Sequence, residues 1–301
     1  MAGSGQTWIE VRIHVSRQFA SQIESLLASL GALSITLTDQ ADNPVLEPAV
    51  GETPLWPEVF VTGLFDDQIN PQAVRSMLNR APGISTDGQI LFSTLNDRDW
   101  ERAWLDNFKP MKFGENLWIV PGGQQAPEPD ANIIELDPGL AFGSGTHPTT
   151  RLCLEWLDAQ ALKGKIVIDF GCGSGVLGLA AALKGAQGVV CIDNDPQALL
   201  ATRENAHRNR VSSIVRTTDC GQPGISCADV VVANILAGTL VDLAPALCLA
   251  LKPGGNIALS GILKEQAGQV SSIYSQWLEN IEQIKLEDWV LISGKRRERD
   301  T

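Results

Sequence analysis

A glycine-rich turn between an apolar strand and an apolar helix constrains this chain more than any other segment. Residues 166–170 predict a buried parallel strand, and residues 176–183 predict an apolar helix. The turn between them has the pattern Asp-x-Gly-x-Gly-x-Gly, from Asp169 to Gly175. Its glycines can adopt positive φ angles or let a ligand approach the backbone, and the start of the helix offers free N–H groups to an anionic group.

A second strand complements this turn because it ends in an acid. Residues 189–192 are apolar, and Asp193 follows them, 22 residues after Gly171. An acid at about this distance is placed to bind the hydroxyl groups of a ribose. We therefore interpret the two segments as the binding site of an adenosine-containing cofactor. The alternative is a glycine-rich turn that binds no ligand.

The pattern of the second half of the chain predicts a seven-stranded, doubly wound, Rossmann-like α/β sheet. Its further strands and helices alternate along the chain, with strands at 213–217, 229–233 and 256–260 and helices at 196–209, 238–251 and 264–279. The last two strands, near 281–287 and 289–294, are joined too closely for a crossover and should pair antiparallel. Gly171, Asp193 and Asn234 then lie at the carboxyl ends of strands, where such sheets bind ligands.

The first hundred residues predict a ferredoxin-like α+β domain with the element order βαββαβ. They contain twelve acidic and five basic residues, which is −7 of the net charge of −12. An acidic module ahead of a cofactor domain suggests substrate recognition, and an acidic solvated surface is the alternative. We predict a first domain over residues 1–96, a linker helix over 97–110 and a cofactor domain over 111–301.

Charge and cysteine content argue against several classes of protein. The net charge of −12 argues against general nucleic-acid binding, which needs a basic face. We see neither a secretory signal nor a transmembrane segment. The six cysteines are scattered without a Cys-x-x-Cys pair, which favours free thiols in a reducing compartment over disulfides or a metal site. The cytoplasm is therefore the expected location.

A second glycine-rich segment, from Asp137 to Thr150, predicts a shaped loop. It contains three glycines and two prolines in fourteen residues, and it leads into the first helix of the cofactor domain. Such a loop can fold over a ligand, and an ordinary surface loop is the alternative. The histidine of this loop, His147, precedes a proline and is expected to have a structural role.

The cofactor site by itself leaves the reaction open. A dehydrogenase would bind NAD in the same crevice but would also need a polarising acid such as His, Tyr or Lys. The three histidines are scattered, and the only tyrosine, Tyr274, is predicted outside the crevice. The acid directly before the glycines resembles the first motif of class I S-adenosylmethionine-dependent methyltransferases, whose sheet also ends in an antiparallel hairpin.

Three segments together resemble the ribosomal protein L11 methyltransferase family over about residues 97–294. They are Leu136 to Thr150, the turn from Asp169 to Gly175, and Asn234-Ile235-Leu236-Ala237. The resemblance implies a cytoplasmic enzyme that methylates lysine side chains and the N-terminal amine of the eleventh protein of the large ribosomal subunit. It also implies that the acidic domain recognises this substrate. One departure is Ser144, where threonine is common in the family.

The resemblance also implies the contacts with S-adenosylmethionine, which are Thr150, Gly171, Asp193 and Asn234. To these we add Gly173 of the turn and, from the loop, Phe142 and Gly145. We assign Asp193 to the ribose, and Thr150 with residues 142–146 to the methionine end and the cover of the methyl group. Asn234 is the predicted catalytic residue, which orients the amine, the methionine moiety or both; a strand-capping asparagine is the alternative.

Other roles and other functions stay open at this point. Asp169 is expected to position the glycine turn or the ammonium group, and Asp219 either reaches the adenine or has no role. A nucleic-acid base methyltransferase is the second possibility. An aromatic residue shortly after Asn234 would favour it, because that residue could stack on a base, but this chain has Ile-Leu-Ala there. A regulatory module that binds the cofactor without turnover is a third possibility. We expect a monomer without membrane or nucleic-acid contact.

Overall fold

The computed structural model describes residues 7–40, 56–84, 89–96, 109–122, 124, 128, 131–136, 145, 147–220 and 227–298. The chain divides into two compact units, Met1–Ala103 and Trp104–Thr301. The predicted linker helix at 97–110 lies almost wholly outside the described residues, and the predicted boundaries at 96 and 111 stay predictions. No helix of the described residues is long and apolar enough to span a membrane.

The first unit has the predicted ferredoxin-like arrangement. Its four antiparallel strands have the order β2-β3-β1-β4, with bounds β1 Thr7–Ser16, β2 Ser34–Asp39, β3 Glu58–Asp66 and β4 Ile90–Asn96. Helices α1 (Arg17–Ser29) and α2 (Pro71–Leu78) supply buried side chains to the core of this unit. Asn70 caps α2, since its side chain accepts hydrogen bonds from the N–H groups of Gln72 and Ala73.

The second unit contains the predicted seven-stranded sheet, with the order β10-β9-β8-β11-β12-β14-β13. The strands are β8 Ile166–Phe170, β9 Gly188–Ile192, β10 Val215–Thr218, β11 Ala228–Asn234, β12 Leu251–Leu263, β13 Leu278–Leu286 and β14 Trp289–Arg296. The first five are parallel, and β14 lies antiparallel to both β12 and β13. The prediction of a seven-stranded α/β sheet is confirmed, including the antiparallel final pair.

The helices of this unit are α3 Pro148–Asp158, α4 Val176–Leu183, α5 Pro196–Arg208, α6 Ala237–Asp242, α7 Ala244–Ala250 and α8 Ala267–Tyr274. The single helix predicted at 238–251 was wrong, because the chain forms α6 and α7 with a break at Leu243. Pro245 stands in the first turn of α7, and a proline there cannot continue the hydrogen bonding of a preceding helix. The helix predicted at 264–279 is shorter, because β13 begins at Leu278.

A small third sheet was only partly predicted. The sequence predicts strands at 116–120 and 132–136, and the structure has β6 (Leu117–Val120) and β7 (Asn132–Glu135) there. Strand β5 (Met111–Phe113) is too short to show a pattern in the sequence. The order is β5-β6-β7, and its buried side chains join the core formed by α3 and α4.

The register of the large sheet brings three strand ends together. Phe170 at the end of β8 pairs with Ile192 of β9 on one side and Ala233 of β11 on the other. Asn234, the last residue of β11, pairs with Ser260 of β12. The residues that follow β8, β9 and β11 therefore lie at one carboxyl edge, where the strand order reverses direction between β8 and β11.

Candidate active site

The glycine turn after β8 is held tightly against the next strand. The N–H groups of Gly171 and Cys172 both donate to the main-chain oxygen of Ile192, at 2.8 and 3.0 Å. Gly171 has a φ of +72°, and a β-carbon built there would overlap the side chain of Ile235. A residue with a side chain would have to displace Ile235 as well as adopt a strained φ angle, so the turn requires glycine here.

The carboxylate of Asp193 closes the turn from the β9 side. Its Oδ2 accepts a hydrogen bond from the N–H of Gly173 at 2.9 Å, and its Oδ1 accepts one from the N–H of Asp195 at 3.0 Å. The residue is half-buried at the strand end. It is therefore fixed in orientation beside the glycine turn, at the position predicted to meet a ribose.

Two polar residues of α5 support the turn and were missed by sequence reasoning. Thr202 donates its hydroxyl to the main-chain oxygen of Gly173 at 3.0 Å, and Asn205 donates its amide to the main-chain oxygen of Ser174 at 2.9 Å. Both side chains are buried. The available signal was their spacing of three residues, which places them on one face of a helix that begins shortly after Asp193, the acid predicted to bind the cofactor.

Asp169 is a fully buried acid under the turn. Its Oδ2 accepts the N–H of Gly178 at 2.8 Å, while its Oδ1 is buried without a partner among the described residues. Burial raises the pKa of Asp169 to about 7, the negative charge of Asp193 acts in the same direction, and the hydrogen bond from Gly178 opposes them. Asp169 thus supports the first turn of α4 through Oδ2, while its Oδ1 accepts no hydrogen bond from a described residue.

The predicted catalytic residue, Asn234, contacts the start of α3. Its Nδ2 donates to the hydroxyl of Thr150 at 3.2 Å, and no hydrogen bond from a described residue reaches its Oδ1. Thr150 is only 1% exposed. The first turn of α3 is held in place by Ser260, whose hydroxyl donates to the main-chain oxygen of Thr149 at 3.2 Å. The bond to Thr150 thereby orients the Asn234 amide so that its Oδ1 is left to accept a hydrogen bond from a ligand.

His147 acts as the N-cap of α3. Its Nδ1 accepts the N–H of Thr149 at 3.3 Å and lies 2.7 Å from the hydroxyl of the same residue. Its ring packs edge-on against Trp289, with 5.0 Å between the ring centres. Burial lowers the pKa of His147, although the charge of Glu287 opposes this. The contacts agree with a structural role in holding the start of α3.

The structure brings together some of the predicted site residues but not all of them. Gly171 and Gly173 are both hydrogen-bonded to the end of β9, through Ile192 and Asp193 respectively, and Thr150 joins Asn234 at the neighbouring strand end. Gly145 is buried, and a β-carbon there would overlap Ile119 and press on Phe113 of the small sheet. Asp219 is exposed after β10, and Phe142 lies outside the described residues. Their assignment to a cofactor remains a prediction.

Comparison with known proteins gives a consistent match. The family model described as ribosomal protein L11 methyltransferase matches residues 7–297. A curated relative of that name from Marinobacter nauticus is 48% identical over 295 residues, which is 97% of this chain and 99% of the relative. A relative from Photobacterium profundum, with the same name, is 49% identical over 289 residues, or 95% of this chain and 98% of the relative.

A solved structure matches part of the chain. The crystal structure of ribosomal protein L11 methylase from Lactobacillus delbrueckii subsp. bulgaricus is 31% identical, with a TM-score of 0.58. The match covers 64% of this chain and all of that chain.

Proposed function

The chain belongs to the ribosomal protein L11 methyltransferase family, and we propose that it methylates lysine side chains and the N-terminal amine of ribosomal protein L11. The observation that carries the proposal is the meeting, at one sheet edge, of the glycine turn with the oriented amide of Asn234. The turn is suited to a cofactor, and the amide offers an acceptor to an amine.

The residues at this edge fit S-adenosylmethionine. Gly171 keeps the backbone free of a side chain, and the carboxylate of Asp193 is oriented for ribose hydroxyls. The cofactor carries a sulfonium and an ammonium group, and the buried, unpartnered Oδ1 of Asp169 is chemically suited to a nearby cation. When bound, S-adenosylmethionine supplies a methyl group that is already activated for transfer.

The task left to the protein is to present a neutral amine in line with that methyl group. For a lysine at neutral pH, loss of the proton costs about 4–5 kcal/mol, and for an N-terminal amine about 1 kcal/mol. We propose that water takes this proton. Orientation of the two reacting groups then supplies much of the rate enhancement.

Asn234 is the residue we propose to hold the amine. Its Oδ1 is free of other described hydrogen bonds, while its Nδ2 is engaged by Thr150. A carbonyl oxygen accepts a hydrogen bond from a neutral amine and so directs the nitrogen lone pair away from itself, toward the cofactor. The main-chain oxygens of the next residues could add further acceptors.

We propose a separate role for each of three consecutive segments of the chain. Residues 1–96 would recognise the substrate, 97–110 would link the domains, and 111–301 would bind the cofactor and transfer the methyl group. The first hundred residues carry −7 of the net charge, which suits a basic ribosomal protein as partner. We propose that a single chain acts in the cytoplasm, without binding nucleic acid or a membrane.

The test is a transfer assay with labelled S-adenosylmethionine, offering purified large-subunit ribosomal proteins and, separately, ribosomal RNA. We expect label on L11 that is lost in Asn234→Ala, with modified positions identified by mass spectrometry. The matched control is Asn256→Ala, because Asn256 lies on the adjoining strand near the opposite edge. It should retain wild-type transfer. Label on RNA, or cofactor binding without transfer to any protein, would contradict the proposal.

A further inference from the structure

Leu236 is a large apolar side chain that remains exposed beside the candidate site. It is 59% exposed and lies two positions after Asn234, where β11 ends. Single exposed leucines are common on protein surfaces and need no function. Leu236 differs from such leucines in two ways: it lies next to the predicted catalytic residue, and it occupies a helix N-cap, where a polar residue is usual.

The backbone position of Leu236 favours a different residue. Leu236 is the N-cap of α6, with φ −57° and ψ 141°, and it makes no side-chain capping hydrogen bond. Serine, threonine, aspartate or asparagine would accept a hydrogen bond from the first turn there. A residue that departs from such a local preference at a strand end is typical of a functional position.

Leu236 lies at the same strand end as the predicted catalytic residue. The N–H of Ile235 still donates to a main-chain oxygen of β12 at 3.2 Å, so the pairing with β12 continues one residue past Asn234. The chain bends at Ile235, whose side chain packs against the core of the sheet. Leu236 is therefore the first exposed residue after Asn234 along the chain.

We infer that Leu236 is a specificity-determining residue, which packs against the methylene groups of a substrate lysine while the amine meets the oxygen of Asn234. This inference rests on the proposed function. A lysine carries four methylenes between its α-carbon and its amine, whereas an N-terminal amine is bonded directly to the α-carbon. Apolar contact with Leu236 therefore favours lysine and contributes little to the N-terminal amine.

The experiment compares the two kinds of amine on the same substrate. Purified L11 is methylated by the wild type, by Leu236→Ala and by Leu249→Ala, and lysine and N-terminal products are quantified separately by mass spectrometry. Leu249 is the matched control, since it is 53% exposed at the end of α7, away from Asn234. We expect Leu236→Ala to lower kcat/KM for lysine roughly tenfold and to change the N-terminal reaction less than about twofold. Leu249→Ala should change neither.

Equal losses for both amines, or no loss for either, would overturn the inference while leaving the methyltransferase proposal intact. Absence of methylation of L11 by the wild type would instead overturn the proposed function. A second variant, Leu236→Ser, separates specificity from folding. Because serine can cap α6, we expect an unchanged or higher Tm together with the same selective loss of lysine methylation. A lower Tm with parallel loss of both reactions would show that Leu236 is only structural.

Discussion

The two edges of the seven-stranded sheet both contain aspartates that accept backbone N–H groups, but they differ in whether a cation pairs with the carboxylate. At the amino edge, Asp229 accepts the N–H of Ile166 at 2.9 Å, and the ammonium of Lys252 lies 3.0 Å from the same carboxylate. At the carboxyl edge, Asp169 and Asp193 accept backbone N–H groups, and no lysine or arginine of the described residues forms an ion pair with either. The acid at the amino edge is paired with a lysine, whereas the two acids beside the proposed cationic cofactor are not.

The pKa directions follow from this difference. Burial acts to raise the pKa of Asp229, but the hydrogen bond from Ile166 and the charge of Lys252 outweigh it and lower the pKa below its ordinary value. Asp169 receives one hydrogen bond and no cation, so burial prevails and its pKa rises to about 7. The comparison teaches that the protein accepts an electrostatic cost at the edge where it is proposed to bind its cofactor.

The largest expected effect comes from breaking the buried ion pair near the amino edge. Asp158 is 4% exposed and lies 2.9 Å from the ammonium of Lys184, which is 13% exposed. Asp158 also accepts the N–H groups of Glu115 and Asn116. Asp158→Ala leaves the buried ammonium of Lys184 with only the main-chain oxygen of residue 158 and removes the acceptor of two N–H groups. We therefore expect the free energy of unfolding to fall by about 3–5 kcal/mol in urea unfolding.

The control is an exposed pair of the same unit. Lys264 lies 3.1 Å from Asp288, and both side chains are exposed. Asp288→Ala should cost less than about 1 kcal/mol, because solvent screens such pairs. Similar losses in Asp158→Ala and Asp288→Ala would refute the claim that burial makes the first pair important.

The next largest effect is the pH dependence of stability that the buried carboxyl of Asp169 causes. Because the folded pKa of Asp169 is about 7, against an ordinary value of 3.8, the folded state holds a proton that the unfolded state has lost. Stability from this group is therefore full at low pH and declines as pH rises from about 4 to 7. We expect Asp169→Asn to remove this decline, so that the variant gains on the order of 2–3 kcal/mol relative to wild type between pH 5 and pH 8.

Urea unfolding of both proteins at the two pH values measures this difference. Any constant cost of the buried amide cancels, because only the change with pH is compared. Other groups with lowered pKa values, among them His147, Asp158 and Asp229, are present in both proteins, so their pH dependence cancels in the comparison. An identical gap between variant and wild type at pH 5 and pH 8 would mean that Asp169 does not titrate in this range.

The smallest of the three effects compares one glycine from each edge. Gly171 has φ +72° and a β-carbon there would overlap Ile235, whereas Gly164 near the amino edge has φ +74° and open space around its β-carbon position. Both alanine variants bear a similar backbone strain, so the difference isolates the steric overlap. We expect Gly171→Ala to cost about 2 kcal/mol more than Gly164→Ala.

Thermal unfolding and calorimetric binding of S-adenosylhomocysteine report this comparison. Gly164→Ala should keep wild-type affinity, and Gly171→Ala should weaken it, because the turn must shift to admit the side chain. Equal destabilisation with wild-type affinity in both would remove the glycine turn from the proposed site.

The sequence determined the order of most elements and the strand ends at which the candidate site lies. Alternating β1 and the apolar runs of β8, β9 and β11 predict strands because burial of an apolar face follows a period of two or a continuous run. The same reasoning predicts the antiparallel end of the sheet and places Gly171, Asp193 and Asn234 at strand ends. These features depend on local periodicity and on connection length, which a sequence displays directly.

Only the tertiary structure decided which polar groups meet. Thr202 supports Gly173 from 29 positions away, and Thr150 orients Asn234 across 84 positions. The break between α6 and α7, and the short strand β5, also escaped prediction because packing against distant segments outweighs weak local preference. The raised pKa of Asp169 has the same origin, since burial and missing cations are properties of the assembled sheet edge, and no local pattern encodes them.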